Sequence, residues 1–171
     1  RLKGGGVVAT IMSNMGLAEY LKGLDLTLAR TKVGDRYVGE HMRQHGFNLG
    51  GEQSGHIILS DVSTTGDGLL AALQVLKTLA ASDQPASSIM RVFEPAPQEL
   101  INIPFNGSNP LESAGVGDAL TQADELLGER GRMVVRKSGT EPLIRVMAEA
   151  LDEDLMRRAL SLVVAAVQAE A

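Results

Sequence analysis

Short apolar runs alternate with helix-length amphipathic segments over the first half of the chain. Residues 7–12 and 24–30 carry two of these runs, and each is followed by a segment with apolar residues at helical spacing that ends at a glycine. A strand followed by a helix and then by another strand is typical of a layered sheet. The pattern predicts a layered α/β/α domain over residues 1–88.

Four features of this half lead to specific local predictions. Asp35 is expected to cap the second helix, and His45 is expected to lie on the inner face of that helix. The sequence TTGD at residues 64–67 is typical of a capping box. Residues 69–81 are apolar nearly all round, which predicts a buried helix.

The second half of the chain has a different order of elements. A polar stretch at residues 82–88, followed by Pro95 and Pro97, separates it from the first half. Beyond them the sequence predicts a strand, a helix, a hairpin and a last helix that is capped by Asp152. We therefore expect a small α+β domain over residues 96–171, with an antiparallel sheet and two helices.

The composition excludes several classes of protein. The net charge is −5 and aromatic residues make up only 3%, so neither a basic nucleic-acid surface nor a base-stacking platform is expected. The chain has no cysteine, which excludes disulfides and thiolate metal sites. No apolar run approaches the roughly 20 residues that a membrane helix needs. We expect a cytoplasmic protein, and the first six residues look like the middle of a longer one.

The sequence RKSGTEP at residues 136–142 joins two predicted strands. It offers two hydroxyls, free backbone N–H groups in a glycine-containing turn, and the guanidinium group of Arg136. Arg145 follows in the exit strand, where it interrupts an otherwise apolar row. Guanidinium groups and a nest of N–H groups suit a phosphate. The alternative is a plain hairpin whose arginines face water.

A second polar loop, GGEQSG at residues 50–55, places Glu52 and Ser54 among three glycines. A carboxylate can accept from two neighbouring sugar hydroxyls at once, so the pair suits a sugar. A wide hairpin turn with a solvated Glu52 is an equally simple interpretation. Lys32 precedes a helix N-terminus, a placement that favours anions, although lysines in loops are usually bystanders.

No metal site is predicted from the residues. His41 and His45 lie one helical turn apart, but no third ligand is placed beside them. Asp61 and Asp67 flank a polar loop and lack the third carboxylate that a magnesium site would want.

Five motifs, in order along the chain, carry a resemblance to a known family. GEQSGH at residues 51–56, followed by RKSGTEP at residues 136–142, resembles the α-D-phosphohexomutase superfamily. MSNMGL at 12–17, KVGDRY at 32–37 and TTGDG at 64–68 are similar to its bacterial phosphoglucosamine mutase branch. The resemblance runs nearly end to end and covers most of the third and all of the fourth of the four domains of that family.

The resemblance implies roles for nine residues. For the sugar they are Glu52, Ser54, His56 and Lys32, and for the phosphate they are Arg136, Ser138, Gly139, Thr140 and Arg145. It also implies interconversion of glucosamine 6-phosphate and glucosamine 1-phosphate through a phosphoserine and a bisphosphate intermediate, with Mg²⁺ as cofactor.

The phosphoserine loop and the aspartate-rich magnesium loop of the family have no counterpart here. We therefore expect a C-terminal part of the enzyme that has no catalytic or metal residues, is inactive alone and needs the N-terminal domains of the same protein as partners. The resemblance leaves room for a homodimer. The alternatives are a stand-alone, non-catalytic phosphosugar-binding module and a structural domain that mediates assembly.

Overall fold

The first apolar run forms the centre of a four-stranded sheet. In the computed structural model, which describes all 171 residues, the strand order is β2-β1-β3-β4. β1 pairs in parallel with β2 and β3, whereas β3 and β4 form an antiparallel hairpin. The strands are β1 (Gly6–Thr10), β2 (Thr27–Thr31), β3 (Leu49–Gly51) and β4 (Ile57–Leu59).

Helices lie on both faces of this sheet. They are α1 (Met15–Lys22), α2 (Asp35–His45), α3 (Gly68–Ala80) and the short α4 (Ala86–Ile89). Val38 and Met42 of α2 pack in one buried cluster with Val8 and Ile58 of the sheet. α1 and α3 lie against the opposite face, because neighbouring strand residues point to opposite sides of a sheet. The predicted α/β/α layering is confirmed.

The prediction that residues 69–81 form a buried helix is wrong. Ala71 is the only buried residue of α3, whereas the side chains of Leu69, Leu73 and Leu76 are 74%, 53% and 58% exposed. The three leucines form a stripe on the side of the helix away from Ala71. An all-apolar composition therefore does not give burial, because the sheet covers only one side of this helix.

The start of α3 also differs from the predicted capping box. The carboxylate of Asp67 accepts a hydrogen bond from the Leu70 N–H at 2.9 Å, so Asp67 is the N-cap. Thr64 lies outside the helix. A capping box would need the Thr64 hydroxyl at the N-cap, and the Asp67 carboxylate occupies that position instead.

Two predictions about α2 are also wrong. Its N-cap is Gly34, not Asp35, and no side chain caps it. Asp35 is instead the first helical residue, where its negative charge interacts favourably with the positive end of the helix dipole. His45 is exposed and its ring stacks on that of His41 with 4.1 Å between centroids. This position near the helix end faces water because Val38 and Met42 already fill the inner face.

The chain divides into two compact units, Arg1–Pro95 and Ala96–Ala171, and the second has a three-stranded antiparallel sheet of order β5-β7-β6. Its strands are β5 (Gln98–Pro104), β6 (Gly131–Lys137) and β7 (Leu143–Ala150), and its helices are α5 (Ala114–Leu127) and α6 (Glu153–Ala169). Single 3₁₀ turns, Pro110–Glu112 and Gly128–Arg130, flank α5. The predicted α+β fold is confirmed.

The core of the second unit lies between one face of its sheet and the two helices. Ile144, Val146 and Ala148 alternate along β7 and join that core. The predicted apolar face of α6 is buried throughout, at Leu155, Met156, Ala159, Leu160, Val163 and Val167. Asp152 caps α6 by accepting from the Leu155 N–H at 3.0 Å, as predicted. None of the helices is both long and apolar enough to span a membrane.

Candidate functional site

Residues 50–56, called the sugar loop after the role that the resemblance predicts for them, form the tight connection between β3 and β4. The N–H of Glu52 donates to the carbonyl of His56 at 2.9 Å, and the N–H of Gly55 donates to the carbonyl of Glu52 at 3.0 Å. Gly55 has a φ of +98°, a conformation that strains other residues. The backbone thus fixes the ends of the loop and presents Ser54 and His56 as exposed side chains.

Glu52 is held by two donors from different parts of the first unit. Its Oε1 accepts from the backbone N–H of Gly34 at 2.5 Å, and its Oε2 accepts from the Ser54 hydroxyl at 3.3 Å. The first contact joins residues 18 positions apart in the sequence. Both carboxylate oxygens therefore have a protein partner and are oriented before any ligand arrives.

Asp35 joins this group, although sequence analysis gave it only a capping role. Its Oδ2 lies 2.9 Å from Nδ1 of His56, and the ligand-type atoms of Asp35, Glu52 and His56 all lie within 4.8 Å of one another. The KVGDRY motif could have suggested Asp35, because it puts a carboxylate just after the glycine whose N–H holds Glu52. The spacing alone did not show that the two loops meet.

This trio could hold a metal ion, but it does not fit magnesium. Mg²⁺ favours six oxygen ligands in a strict octahedron and usually keeps several waters. Here one of the three groups is the imidazole of His56, and both oxygens of Glu52 already accept hydrogen bonds. These three side chains therefore do not make a magnesium site.

Lys32 lies just beyond the end of β2 and is exposed. Its backbone leads to Gly34 and so to the Glu52 contact, but its ammonium group makes no hydrogen bond or ion pair. The structure thus brings together Glu52, Ser54 and His56, and places the Lys32 side chain outside their hydrogen-bond network.

An apolar cavity of about 330 Å³ lies beside the sugar loop. Its walls include Val7, Ala9 and Leu17, with Glu52 and His56 at its polar side. Hydroxyl groups would find few partners against the aliphatic walls. The loop side chains, not this cavity, carry the polar chemistry of the first unit.

Residues 136–142, called the phosphate turn after the role that the sequence predicts for them, join β6 to β7. Ser138 is buried, and its backbone N–H donates to the Leu143 carbonyl at 2.8 Å. The N–H of Thr140 donates to the Ser138 hydroxyl at 3.5 Å. Gly139 and Thr140 are exposed at the tip. The hairpin thus closes below the tip and leaves the tip facing outward.

The two arginines of the phosphate turn lie directly opposite each other across β6 and β7. Their Nε atoms are both buried and lack hydrogen-bond partners. Burial lowers the pKa of Arg136, and the Arg145 guanidinium lowers it further. Only Arg145 has an ion-pair partner, since its Nη2 lies 3.3 Å from a carboxylate oxygen of Glu141. Like charges at directly opposed strand positions are destabilising, and an anion beside the two groups would offset that repulsion.

A cavity of about 460 Å³ lies beside the turn. Its walls are the tip of the turn, the loop after β5 and Lys137; the lining residues are Phe105, Asn106, Gly107, Lys137, Ser138, Gly139, Thr140, Glu141 and Pro142. The Lys137 ammonium lies 5.2 Å from the centre of the Phe105 ring. Arg136 and Arg145 do not line this cavity, because Lys137 and Arg136 point to opposite sides of the strand.

Sequence analysis missed Lys137 and Asn106 on that cavity wall. Lys137 could have been predicted, because Arg136 and Lys137 are consecutive strand residues and must place their cations on opposite sides of the sheet. Asn106 could not have been, because it reaches the turn only through the pairing of β5 with β7.

Comparison with protein families finds matches in both units. Residues 1–96 match the family model described as phosphoglucomutase/phosphomannomutase, alpha/beta/alpha domain III. Residues 100–166 match the model for the C-terminal domain of phosphoglucomutase/phosphomannomutase.

Two curated relatives are similar over the whole chain. The phosphoglucosamine mutase of Hyphomonas neptunium is 76% identical over 171 residues, which is 100% of this chain and 38% of the relative. That of Rhodospirillum centenum is 61% identical over 172 residues, 99% of this chain and 36% of the relative. The chain thus spans little more than a third of the length of the relatives it matches.

Solved structures share the fold at low sequence identity. An Aspergillus fumigatus N-acetylphosphoglucosamine mutase in complex with GlcNAc-6P and magnesium matches with a TM-score of 0.75 and 21% identity, over 95% of this chain and 41% of that one. An N-acetylglucosamine-phosphate mutase in its product complex matches with a TM-score of 0.71 and 21% identity, over 94% and 38%.

Proposed function

The chain belongs to the phosphoglucomutase/phosphomannomutase family, and from that membership we propose that it supplies sugar and phosphate recognition to a phosphoglucosamine mutase. The whole protein would interconvert glucosamine 6-phosphate and glucosamine 1-phosphate through a phosphoserine and a bisphosphate intermediate. Relatives that are 76% and 61% identical and carry that name support this choice. Their greater length argues against a stand-alone binding module.

The opposed arginines of the phosphate turn are the observation that carries the proposal. Two guanidinium groups with buried, unpartnered Nε atoms lie beside a turn that offers Ser138, Gly139 and Thr140. A phosphate dianion would give both Nε atoms an acceptor and remove the repulsion between the two charges. Arg136, Arg145 and the turn would hold the phosphate group of the substrate that is not reacting.

The sugar loop would recognise the other part of the substrate. Glu52 is already oriented by Gly34 and Ser54, and it can exchange the weaker Ser54 contact for a sugar hydroxyl. Ser54 and His56 are exposed beside it and would donate or accept further hydrogen bonds. Lys32 would contribute by rotating its free ammonium group toward the ligand.

The chemistry itself would belong to other parts of the protein. Magnesium in such an enzyme would stabilise the charge of the transferred phosphoryl group, and its site would lie outside this chain. The partners would be the N-terminal domains of the same protein and the phosphosugar, with a homodimer as a further assembly. A cytoplasmic location follows from the same role in sugar metabolism. The chain alone would not turn over substrate.

The test is a titration of the 171-residue chain followed by amide NMR. Glucosamine 6-phosphate should shift the amide signals of Ser138, Gly139 and Thr140, and free glucosamine should leave them in place. Both ligands should shift signals of the Glu52 loop. If the phosphate makes no difference at the turn, the proposed phosphate site is wrong. Turnover by the purified chain, with host enzyme excluded, would refute the assignment of the chemistry to other domains.

A further inference from the structure

The carboxylate of Glu141 lies at the turn where the proposed ligand is a phosphate, which is also an anion. Glu141 belongs to the phosphate turn and directly follows Thr140, and its side chain is 56% exposed. An acidic group at this turn repels a phosphate dianion by simple electrostatics. The turn chemistry does not require it, because Ser138, Gly139 and Pro142 already shape the connection. Its presence therefore needs another explanation.

The contacts of Glu141 supply one. Its Oε2 accepts from Nη2 of Arg145 at 3.3 Å, and this is the only ion pair made by either of the two opposed arginines. Arg136, directly opposite, has none. Glu141 thus compensates the charge of one of the two opposed arginines and holds its guanidinium group.

We propose that Glu141 competes with the phosphate group for Arg145. Without ligand, Arg145 pairs with Glu141; when phosphate binds, the Arg145 guanidinium turns to it and Glu141 moves into solvent. The exchange is easy because an exposed ion pair is weak and Glu141 can be hydrated where it lies. The inference rests on the proposed function, and it makes Glu141 a positioning residue that weakens phosphate binding.

The proposed reaction gives a reason for such a residue. A bisphosphate intermediate must present each end in turn, so the group that holds the idle phosphate must release it within each turnover. Two unopposed arginines would bind a dianion tightly and release it slowly, since affinity differences between related complexes lie mostly in the dissociation rate. A carboxylate that returns to Arg145 as phosphate leaves would speed that release.

The experiment compares three forms of the 171-residue chain: the unchanged chain, Glu141→Gln and Glu153→Gln. Glu153 is the matched control, because it pairs with Arg157 at the same i,i+4 spacing on the exposed side of α6. Glu141→Gln should bind glucosamine 6-phosphate about 3- to 10-fold more tightly, mainly through a lower dissociation rate. Glu153→Gln should change the Kd less than about twofold. Amide signals of Gly139 and Thr140 report both quantities.

A second pair of variants tests the route through Arg145. In an Arg145→Ala background, Glu141→Gln should tighten binding clearly less than in the intact chain, because the competition for Arg145 is gone and only the direct repulsion of the phosphate remains. An equal gain in both backgrounds would overturn the route through Arg145. Unchanged or weaker binding by Glu141→Gln in the otherwise intact chain would overturn the proposal. If the unchanged chain shows no phosphate-dependent shift at the turn, the proposed function itself fails and this inference fails with it.

Discussion

Two hairpins carry the candidate site residues, and they differ in how well their polar groups are satisfied. At the end of the β3–β4 hairpin, both oxygens of Glu52 already accept hydrogen bonds. At the end of the β6–β7 hairpin, Arg136 and Arg145 face each other with unpartnered Nε atoms. The proposed sugar binding at the first hairpin would therefore be an exchange of partners, whereas the proposed anion binding at the second would supply missing ones.

The hairpins also differ in how they are anchored away from their turns. Strands β6 and β7 are seven and eight residues long, and a buried ion pair between Arg132 and Glu149 joins their far ends. Strands β3 and β4 have three residues each, and an exposed pair between Lys3 and Asp61 lies just beyond them. The second hairpin thus has both the longer strands and the more buried ion pair at its base.

The largest expected effect comes from removing the buried anchor. Glu149 is fully buried, and Glu149→Ala removes the carboxylate of an ion pair whose arginine is only 24% exposed. The free energy of unfolding should fall by roughly 3–5 kcal/mol. Urea unfolding measures this, with Glu153→Ala as the exposed counterpart, which should cost about 1 kcal/mol or less. Similar losses for both variants would contradict the greater importance assigned to the buried Arg132–Glu149 pair.

The next effect tests the unsatisfied hairpin. Arg136→Ala in a longer protein that carries both units should lower kcat/KM for either monophosphate. The loss should correspond to roughly 3–4 kcal/mol of transition-state stabilisation, because two charge-assisted hydrogen bonds are lost. Arg136→Lys should restore only part, since an ammonium cannot form the planar fork. Thermal stability should stay level or rise slightly, because the repulsion with Arg145 disappears. A marked fall in stability would mean that Arg136 serves the fold.

The satisfied hairpin should respond in two graded steps. Glu52→Ala in the same longer protein should cost roughly 2–4 kcal/mol of transition-state binding, through loss of a charged acceptor. Ser54→Ala should cost about 1 kcal/mol, as expected for a neutral hydrogen bond. Steady-state kinetics with glucosamine 6-phosphate measures both. An unchanged kcat/KM for Glu52→Ala would make this loop a structural turn only.

The smallest effect concerns the exposed anchor. Hydrogen bonds from the Lys3 side chain, and then from the Asn48 side chain, lower the pKa of Asp61 below its ordinary value of 3.8. A lowered carboxyl pKa adds stability above pH 3.8, and that stability is lost as the pH falls through the folded-state value. Asp61→Asn should therefore lower Tm slightly at pH 7 and leave it unchanged at the lowest pH that still permits folding. Equal shifts at both pH values would contradict this.

Sequence reasoning worked where one element determines its own environment. The face of α6 is buried at all six predicted positions, because a long helix with one apolar side has a single way to pack. It failed for α3, since its leucines report hydrophobicity but not whether a partner surface is present. The sequence predicts Asp35 as a cap because an acidic residue in the first helical turn and an acidic N-cap residue cannot be told apart by pattern.

The site required contacts that local patterns do not contain. The motifs gave the nine candidate residues, whose roles remain predictions. The Asp35–His56 pair and the Gly34–Glu52 hydrogen bond join loops that are far apart in the chain. Only the parallel pairing of β1 with β2 and with β3 brings those loops to the same edge. A short loop reveals its own turn but not its neighbour across the sheet.

The tether between Gly34 and Glu52 bears on how this sequence can vary. The donor is a main-chain N–H, and Gly34 adopts a φ of +129°, which other residues rarely reach. The orientation of the acidic side chain is thus encoded in a backbone shape that neighbouring side chains do not set. The side chains of Lys32 and the exposed Val33 take no part in this hydrogen bond, so changes there should leave the Glu52 orientation intact, whereas a change at Gly34 should misplace the carboxylate.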